Sequence, residues 1–199
     1  MKKILHVISS PRHGESYSIK LGEAIVAKLL LEYPGSTVST YNLVDVHFPH
    51  LEEAHIASFF TPLEARTPAG VEAARHSDEA IRAIREADIL VVGAPMYNFN
   101  IHSSLKAWLD HIVRSGVTFS YGATGAEGLV TGKKVYLAVA TGGVYSSGPM
   151  KEYDFVVPYL TWMLSFIGMK DISVVRVEGT AIPELKEGAL ERAVASIEV

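Results

Sequence analysis

At 199 residues the chain is long enough to bury one sizeable core and short for two, so residues 1–199 read as a single domain. A hydrophobic content of 48% and a charged content of 20% are those of an ordinary globular protein, and a net charge of −4 gives no reason to expect nucleic acid or an anionic membrane as a partner. The chain has no cysteine, which excludes disulfides, thiolate catalysis, zinc–thiolate sites and cysteine-ligated iron–sulfur clusters together and fits a cytoplasmic protein.

The first apolar run, Ile4–Ile8, follows Lys2-Lys3 and stops at Ser9-Ser10-Pro11. It is too short for the apolar core of a signal peptide and reads as a buried strand. The loop after it runs from Ser9 to Ser18 and carries hydroxyls at Ser10, Ser16 and Ser18. Residues 17–32 have the apolar stripe of a helix (Ile19, Ile25, Leu29 and Leu30) and end before Pro34-Gly35. A second strand is expected over Val38–Leu43, then a long connection over residues 44–70, then a helix over residues 71–86.

Ile89–Val92 is a third strand, and Ala94-Pro95-Met96-Tyr97-Asn98-Phe99-Asn100-Ile101 reads as the loop that follows it. Leu105, Trp108, Leu109, Ile112 and Val113 give helical spacing over residues 103–115, with Gly116 as the expected C′ residue. Residues 116–132 form a second long connection, rich in Gly and Thr. Val135–Ala140 and Ile172–Val177 complete five strands, separated by a nearly all-apolar helix over residues 154–168 that is expected to be buried on more than one side. Ala189–Ile197 closes the chain as a helix. No apolar stretch reaches membrane-spanning length.

Repeated strand–helix alternation predicts an α/β fold: a doubly wound, five-stranded parallel sheet with helices on both faces, in the flavodoxin-like order 2-1-3-4-5. Ligands of such sheets bind at the carboxyl ends of the strands, which makes three loops informative. In the third-strand loop, Met, Tyr and Phe interleaved with two Asn suit a planar heterocycle with polar edges, such as a flavin. The serine-rich loop after the first strand lacks both G-x-G-x-x-G and the P-loop pattern, so it fits a phosphomonoester; simple N-capping by Ser16 explains it equally well. After the fourth strand, Ala140-Thr141-Gly142-Gly143 lets a backbone lie close to a ligand, although a plain turn would look the same. Taken together on one sheet edge, the three make a flavin mononucleotide pocket.

Other constellations point nowhere. His47, His50 and His55 with Glu52 and Glu53 match no metal-ligand spacing and read as a solvated segment, and no metal is expected. His102 and His111 are nine positions apart on one helix, too far to share an ion. No G-x-S-x-G nucleophile elbow is present. Trp162, Met163 and Phe166 on the apolar helix read as core, with one or two of them able to face a pocket.

Over nearly its whole length the chain resembles the FMN-dependent NADH-azoreductases, also described as NADH:quinone oxidoreductases. The segments that carry the resemblance are A-P-M-Y-N-F-N-I at Ala94–Ile101, G-V-T-F at Gly116–Phe119 and E-G-L-V-T-G-K-K at Glu127–Lys134, extended by Pro158-Tyr159-Leu160 and Phe166-Ile167-Gly168. The resemblance implies a flavodoxin-like homodimer with noncovalent FMN. It implies phosphate and ribityl contacts from Ser10, Ser16, Tyr17 and Ser18. Met96, Tyr97, Asn98 and Phe99 would line the isoalloxazine, with Ala140, Thr141, Gly142 and Gly143 completing the cradle. The family's fourth-strand loop commonly reads S-R-G-G, where this chain has Ala140-Thr141-Gly142-Gly143.

The chemistry so implied is a ping-pong, two-electron reduction: NADH or NADPH gives hydride to the flavin N5, and a planar quinone or azo compound then takes it. No side chain is required as a catalytic group. Phe99, Tyr121 and Phe60 are the aromatic walls expected to sandwich flat substrates. The rival is a flavodoxin-type electron carrier with a protein partner. Such carriers tend to be shorter and much more acidic than a chain of net charge −4.

Overall fold

The computed structural model describes residues 1–123 and 125–199. Five parallel strands form the sheet: β1 (Lys3–Ile8), β2 (Thr37–Asn42), β3 (Ile89–Tyr97), β7 (Lys134–Ala140) and β8 (Asp171–Val177). Their spatial order is β2-β1-β3-β7-β8, which is the expected 2-1-3-4-5. The remaining strands lie outside this ladder. β4 (Asn100–Ile101) pairs antiparallel with β3, and β5 (Phe119–Gly122) pairs with β6 (Gly125–Gly128) as a separate ribbon.

Successive side chains of a strand point to opposite faces, and each face of this sheet has its own helices. On one face Ile4, Ile89, Val91, Ala138 and Val175 pack against α1 (Tyr17–Glu32) and α8 (Ala189–Ala195). On the other, Leu5, Val7, Leu90, Val92, Leu137 and Val139 meet α4 (Pro68–Glu86), α5 (Ser103–Ile112) and α6 (Val157–Phe166). The largest fully buried side chain is Trp108 on α5. α4 begins with Pro68 at its first turn and Thr67 as N-cap, whose hydroxyl accepts the Gly70 N–H at 3.2 Å.

Several segments differ from expectation. The third strand does not stop at Val92: Ala94–Tyr97 continues β3, so much of the supposed loop is strand. Residues 44–70 are not a bare connection but include α2 (Leu43–Val46) and α3 (Glu53–Phe59). His55, expected in solvent, is buried; its Nδ1 accepts the Glu52 N–H at 3.0 Å and its ring meets that of His111 edge-on. α5 ends at Ile112 rather than near residue 115, with Val113 as C-cap, so Gly116 is not its C′ residue.

α6 is shorter than residues 154–168 and not buried on several sides. Within it only Leu160 and Leu164 are buried, and Trp162 is 63% exposed and stacked on Phe166. The ribbon β5–β6 is held to the body by backbone contact. Val130 N–H donates to Ile167 O at 2.9 Å, and a Cβ on Gly128 would lie 2.2 Å from the Gly168 nitrogen.

Candidate active site

The C-terminal ends of β1, β3 and β7 stand side by side in the sheet, and the three informative loops leave from them. Side chains tie the first two loops together. Ser9 donates through Oγ to Gly93 O at 2.7 Å, and Ser104 Oγ donates to Ser9 O at 3.3 Å.

Ser10 and Ser16 in the β1 loop are buried, unusual for hydroxyls on a surface connection, and so is Ser18 in the first turn of α1. Ser16 is the N-cap of α1 by position, yet its hydroxyl makes no capping bond and instead lies 3.0 Å from Ser18 Oγ. Capping therefore does not account for these serines. The first-turn N–H groups of α1 have no intrahelical acceptor and no side-chain cap, so hydroxyls and helix dipole together offer an anion site.

The β3 loop is a two-residue hairpin. Met96 pairs with Ile101 and Tyr97 with Asn100, leaving Asn98 and Phe99 as the turn, with φ of 49° and 67°. Positive φ at both central positions is the mark of a type I′ turn, which asparagine tolerates and glycine prefers at the second place. Phe99 occupies that second place at a cost of about 1–2 kcal/mol. Its ring stands 45% exposed, meeting Tyr145 at 6.3 Å and Tyr153 at 6.1 Å between centroids. A strained, exposed aromatic is retained for contact rather than packing. Phe99→Gly is accordingly expected to change the unfolding free energy by less than about 1 kcal/mol while weakening flavin retention. A urea titration beside a flavin-binding titration checks both halves.

The β7 loop has a one-sided polarity. Its carbonyls are engaged: Thr141 O accepts Thr180 N–H and the Thr180 hydroxyl, Gly142 O accepts Ala181 N–H at 2.9 Å, and Gly143 O accepts Gly179 N–H at 3.0 Å. Among the described residues, the N–H groups of Gly142, Gly143 and Val144 have no acceptor in the chain. At Gly142 and Gly143 the loop thus leaves its N–H groups free while its carbonyls are already engaged. Thr141, which stands where the family's arginine would be, turns its hydroxyl onto Gly143 O at 2.8 Å and braces the loop from within.

A planar ring bearing carbonyl and imine acceptors, linked to a phosphate, fits this donor edge, the hairpin and the serine pocket together. The residues present therefore fit FMN. The hairpin also borders a cleft of about 490 Å³ lined by Tyr97, Asn98, Asn100, His102, Lys106 and Tyr159. His102 is the N-cap of α5, and its Nδ1 accepts the Ser104 N–H; burial lowers its pKa below the usual imidazole value. A larger cleft of about 1260 Å³ lies among Lys2, Asp88, Lys134 and Asp171, at the strand starts and so at the opposite edge from the loops.

Of the expected site residues, the serines, the hairpin and the glycine loop share one edge. Tyr121 and Phe60 do not join Phe99. Each is about three-quarters exposed, and the ring that Tyr121 meets is Phe119, at 5.5 Å. Tyr145 and Tyr153, which do meet Phe99, were not singled out from the sequence. Tyr145 lies two places beyond Gly143, which was the only available signal. Among the described residues, no three His, Asp or Glu side chains could hold a metal ion, and no helix is long and apolar enough to cross a membrane.

A flavodoxin-like-fold family model matches residues 2–199. The chain is 41% identical over 196 residues to the FMN-dependent NADH:quinone oxidoreductase of Mesorhizobium japonicum, covering 98% of this chain and 93% of the relative. It is 44% identical over 182 residues to that of Herminiimonas arsenicoxydans, covering 92% and 89%. Among solved structures, the azoreductase of Bacillus anthracis strain Sterne superposes with a TM-score of 0.87 at 31% identity over 98% of both chains. An FMN-dependent NADH-azoreductase of Bacillus anthracis strain Ames Ancestor, solved in complex with FMN, gives 0.85 at 26% identity over 98% of this chain and 97% of that one. Its fold, its loops and these likenesses agree: the chain belongs to the flavodoxin-like family of FMN-dependent NADH:quinone oxidoreductases and azoreductases.

Proposed function

We propose that this chain, acting as one domain, holds FMN noncovalently and uses NADH or NADPH to reduce planar quinones and azo compounds by two electrons. The observation that carries this reading is the run of free N–H groups at Gly142–Val144, set beside a buried serine pocket and a strained aromatic hairpin. FMN held there would supply the redox chemistry, a two-electron relay between the nicotinamide and an electron-poor acceptor.

The chain's own residues bind and orient. Ser10, Ser16, Ser18 and the first-turn N–H groups from Tyr17 onward take the phosphate. Met96, Tyr97 and Phe99 line the ring, and the Asn98 amide meets its polar edge. Ala140 and Thr141 shape the turn that aims the N–H groups of Gly142 and Gly143 at the ring's acceptors. Phe99, joined by Tyr145, gives flat substrates a face to stack on.

Asn98→Ala removes the amide while leaving a small side chain in the turn. FMN affinity is expected to fall about tenfold, the worth of one or two hydrogen bonds to a desolvated ring edge. Fluorescence titration of the stripped protein with FMN measures it, and an unchanged affinity would take Asn98 out of the pocket.

The functional unit is proposed to be a homodimer. Supporting this are the exposed Trp162 on α6, stacked on Phe166, and the exposed rings of Tyr121 and Phe60. In a dimer these last two reach a site that Phe99 of the same protomer does not share with them. Sedimentation at working concentration decides it, a monomer being the contrary result. The cytoplasm, which maintains reduced nicotinamide nucleotides, is the proposed location.

A further inference from the structure

The turn that follows Gly142-Gly143 is held by a largely buried charge network that joins the end of β8 to the start of α6. Glu178, one residue past the strand, receives the Tyr145 N–H at 2.7 Å and the Ser146 N–H at 2.9 Å on Oε1, and the Ser146 hydroxyl on Oε2. Arg176, two residues earlier, faces Glu178 at 3.7 Å and donates to Asp154 at 2.6 Å. Asp154 in turn accepts the Val156 and Val157 N–H groups at 3.0 Å each, where α6 begins. Asp154 is buried and the Glu178 and Arg176 side chains are 14% and 18% exposed, so the carboxylates and the guanidinium are largely shielded from water, while Ser146 itself lies at the exposed rim.

We propose that Glu178 is a positioning residue for the flavin site, with Arg176 and Asp154 fixing its carboxylate. The inference rests on reading the β7 loop as the flavin contact. Five consecutive N–H groups, Gly142 through Ser146, leave this loop, and an unrestrained turn could present any of them. Glu178 captures the last two. The free donors therefore end at Val144, and the Tyr145 ring is set against Phe99 before any ligand arrives. Ordering a loop in advance removes that cost from the binding step. Charge-assisted bonds inside a shielded network are strong enough to do so.

Two variants and one exchange measurement test this. Glu178→Ala should raise the FMN Kd about tenfold or more, because a loop left unordered must be ordered by the ligand. Glu178→Gln keeps an oxygen able to accept both N–H groups, and should stay within about threefold of the parent. Equal weakening of both variants, or a Glu178→Ala variant that binds like the parent, would overturn the proposal.

Amide exchange of the FMN-stripped parent, read by NMR, supplies a readout that needs neither a variant nor flavin. Tyr145 and Ser146 should exchange slowly and Gly142, Gly143 and Val144 fast. Equal rates across the five would overturn the positioning role even if Glu178→Ala failed to fold. A parent protein that takes up no FMN would instead refute the flavin reading, while the exchange pattern would still judge Glu178.

Discussion

Gly128→Ala is expected to cost about 3 kcal/mol or more, beyond the usual range for an overpacked site. An alanine Cβ there would lie 2.2 Å from the Gly168 nitrogen, 2.4 Å from the Ile167 carbonyl carbon and 2.5 Å from the Gly168 Cα. All three are backbone atoms, so no rotamer change relieves the clash and the two chain segments must separate. Separation would break the bond from Val130 N–H to Ile167 O and loosen Phe119 from Phe166, whose rings stand 4.7 Å apart.

Gly168 is constrained in the same way. Its φ is +111°, and a Cβ there would lie 2.9 Å from Val130 O. Chemical denaturation reads the loss directly, and a midpoint within error of the parent would mean that these backbones do not touch. Under the proposal that Tyr121 of the ribbon reaches the acceptor in a dimer, the variant should also lose acceptor turnover out of proportion to its FMN affinity.

Acid destabilisation centred on one buried histidine is the second large effect. His6 lies in β1 facing α1, 4% exposed, with no hydrogen-bond partner for Nε2, and burial lowers its pKa to about 4. In the unfolded chain the imidazole titrates at its ordinary value of 6.5. Above pH 6.5 both states are neutral and His6 makes no pH-dependent contribution. As pH falls from 6.5 towards 4 the unfolded state binds the proton first, so stability drops throughout that window.

Across the window from 6.5 to about 4, the loss amounts to about 3 kcal/mol at ~1.4 kcal/mol per pH unit. His111 and His102 are shifted the same way by burial and steepen the slope. His6→Leu should flatten it, which urea titrations at pH 7 and pH 4.5 would compare. Identical slopes for parent and variant would assign the acid sensitivity elsewhere. The same contact bears on packing, since the Nε2 of His6 lies 2.5 Å from where a Cβ on Gly22 would be.

These cases mark what the sequence could and could not disclose. The central strands β1, β3 and β7 were legible because both faces of the sheet are covered there, so each reads as a continuous apolar run, whereas the edge strand β2 (Thr-Val-Ser-Thr-Tyr-Asn) is largely exposed and was marked only by its β-branched and aromatic residues. The β3–β4 hairpin was not, because its turn has Phe99 where a type I′ turn favours glycine, and that substitution hides the signal. The β5–β6 ribbon lacks the β-branched alternation that marks strands, and its Gly128 is there for backbone contact with Gly168, forty positions away.

α3 escaped notice because its capping box uses Glu52 with His55 at the third position, in place of the Ser/Thr-x-x-Glu/Gln pattern. At the site, the serines, the hairpin residues and Gly142-Gly143 stood out by residue type. Glu178 did not. Its role depends on a contact 33 residues away, and no local pattern records it.

Anaerobic titration of the FMN-loaded protein with NADH, followed through the visible flavin band, addresses the central claim most directly. The band should bleach in proportion to added NADH and return when a quinone is supplied. A bound flavin that stays yellow under NADH would contradict the reductase and fit a carrier, and a protein that takes up no FMN would contradict the site itself.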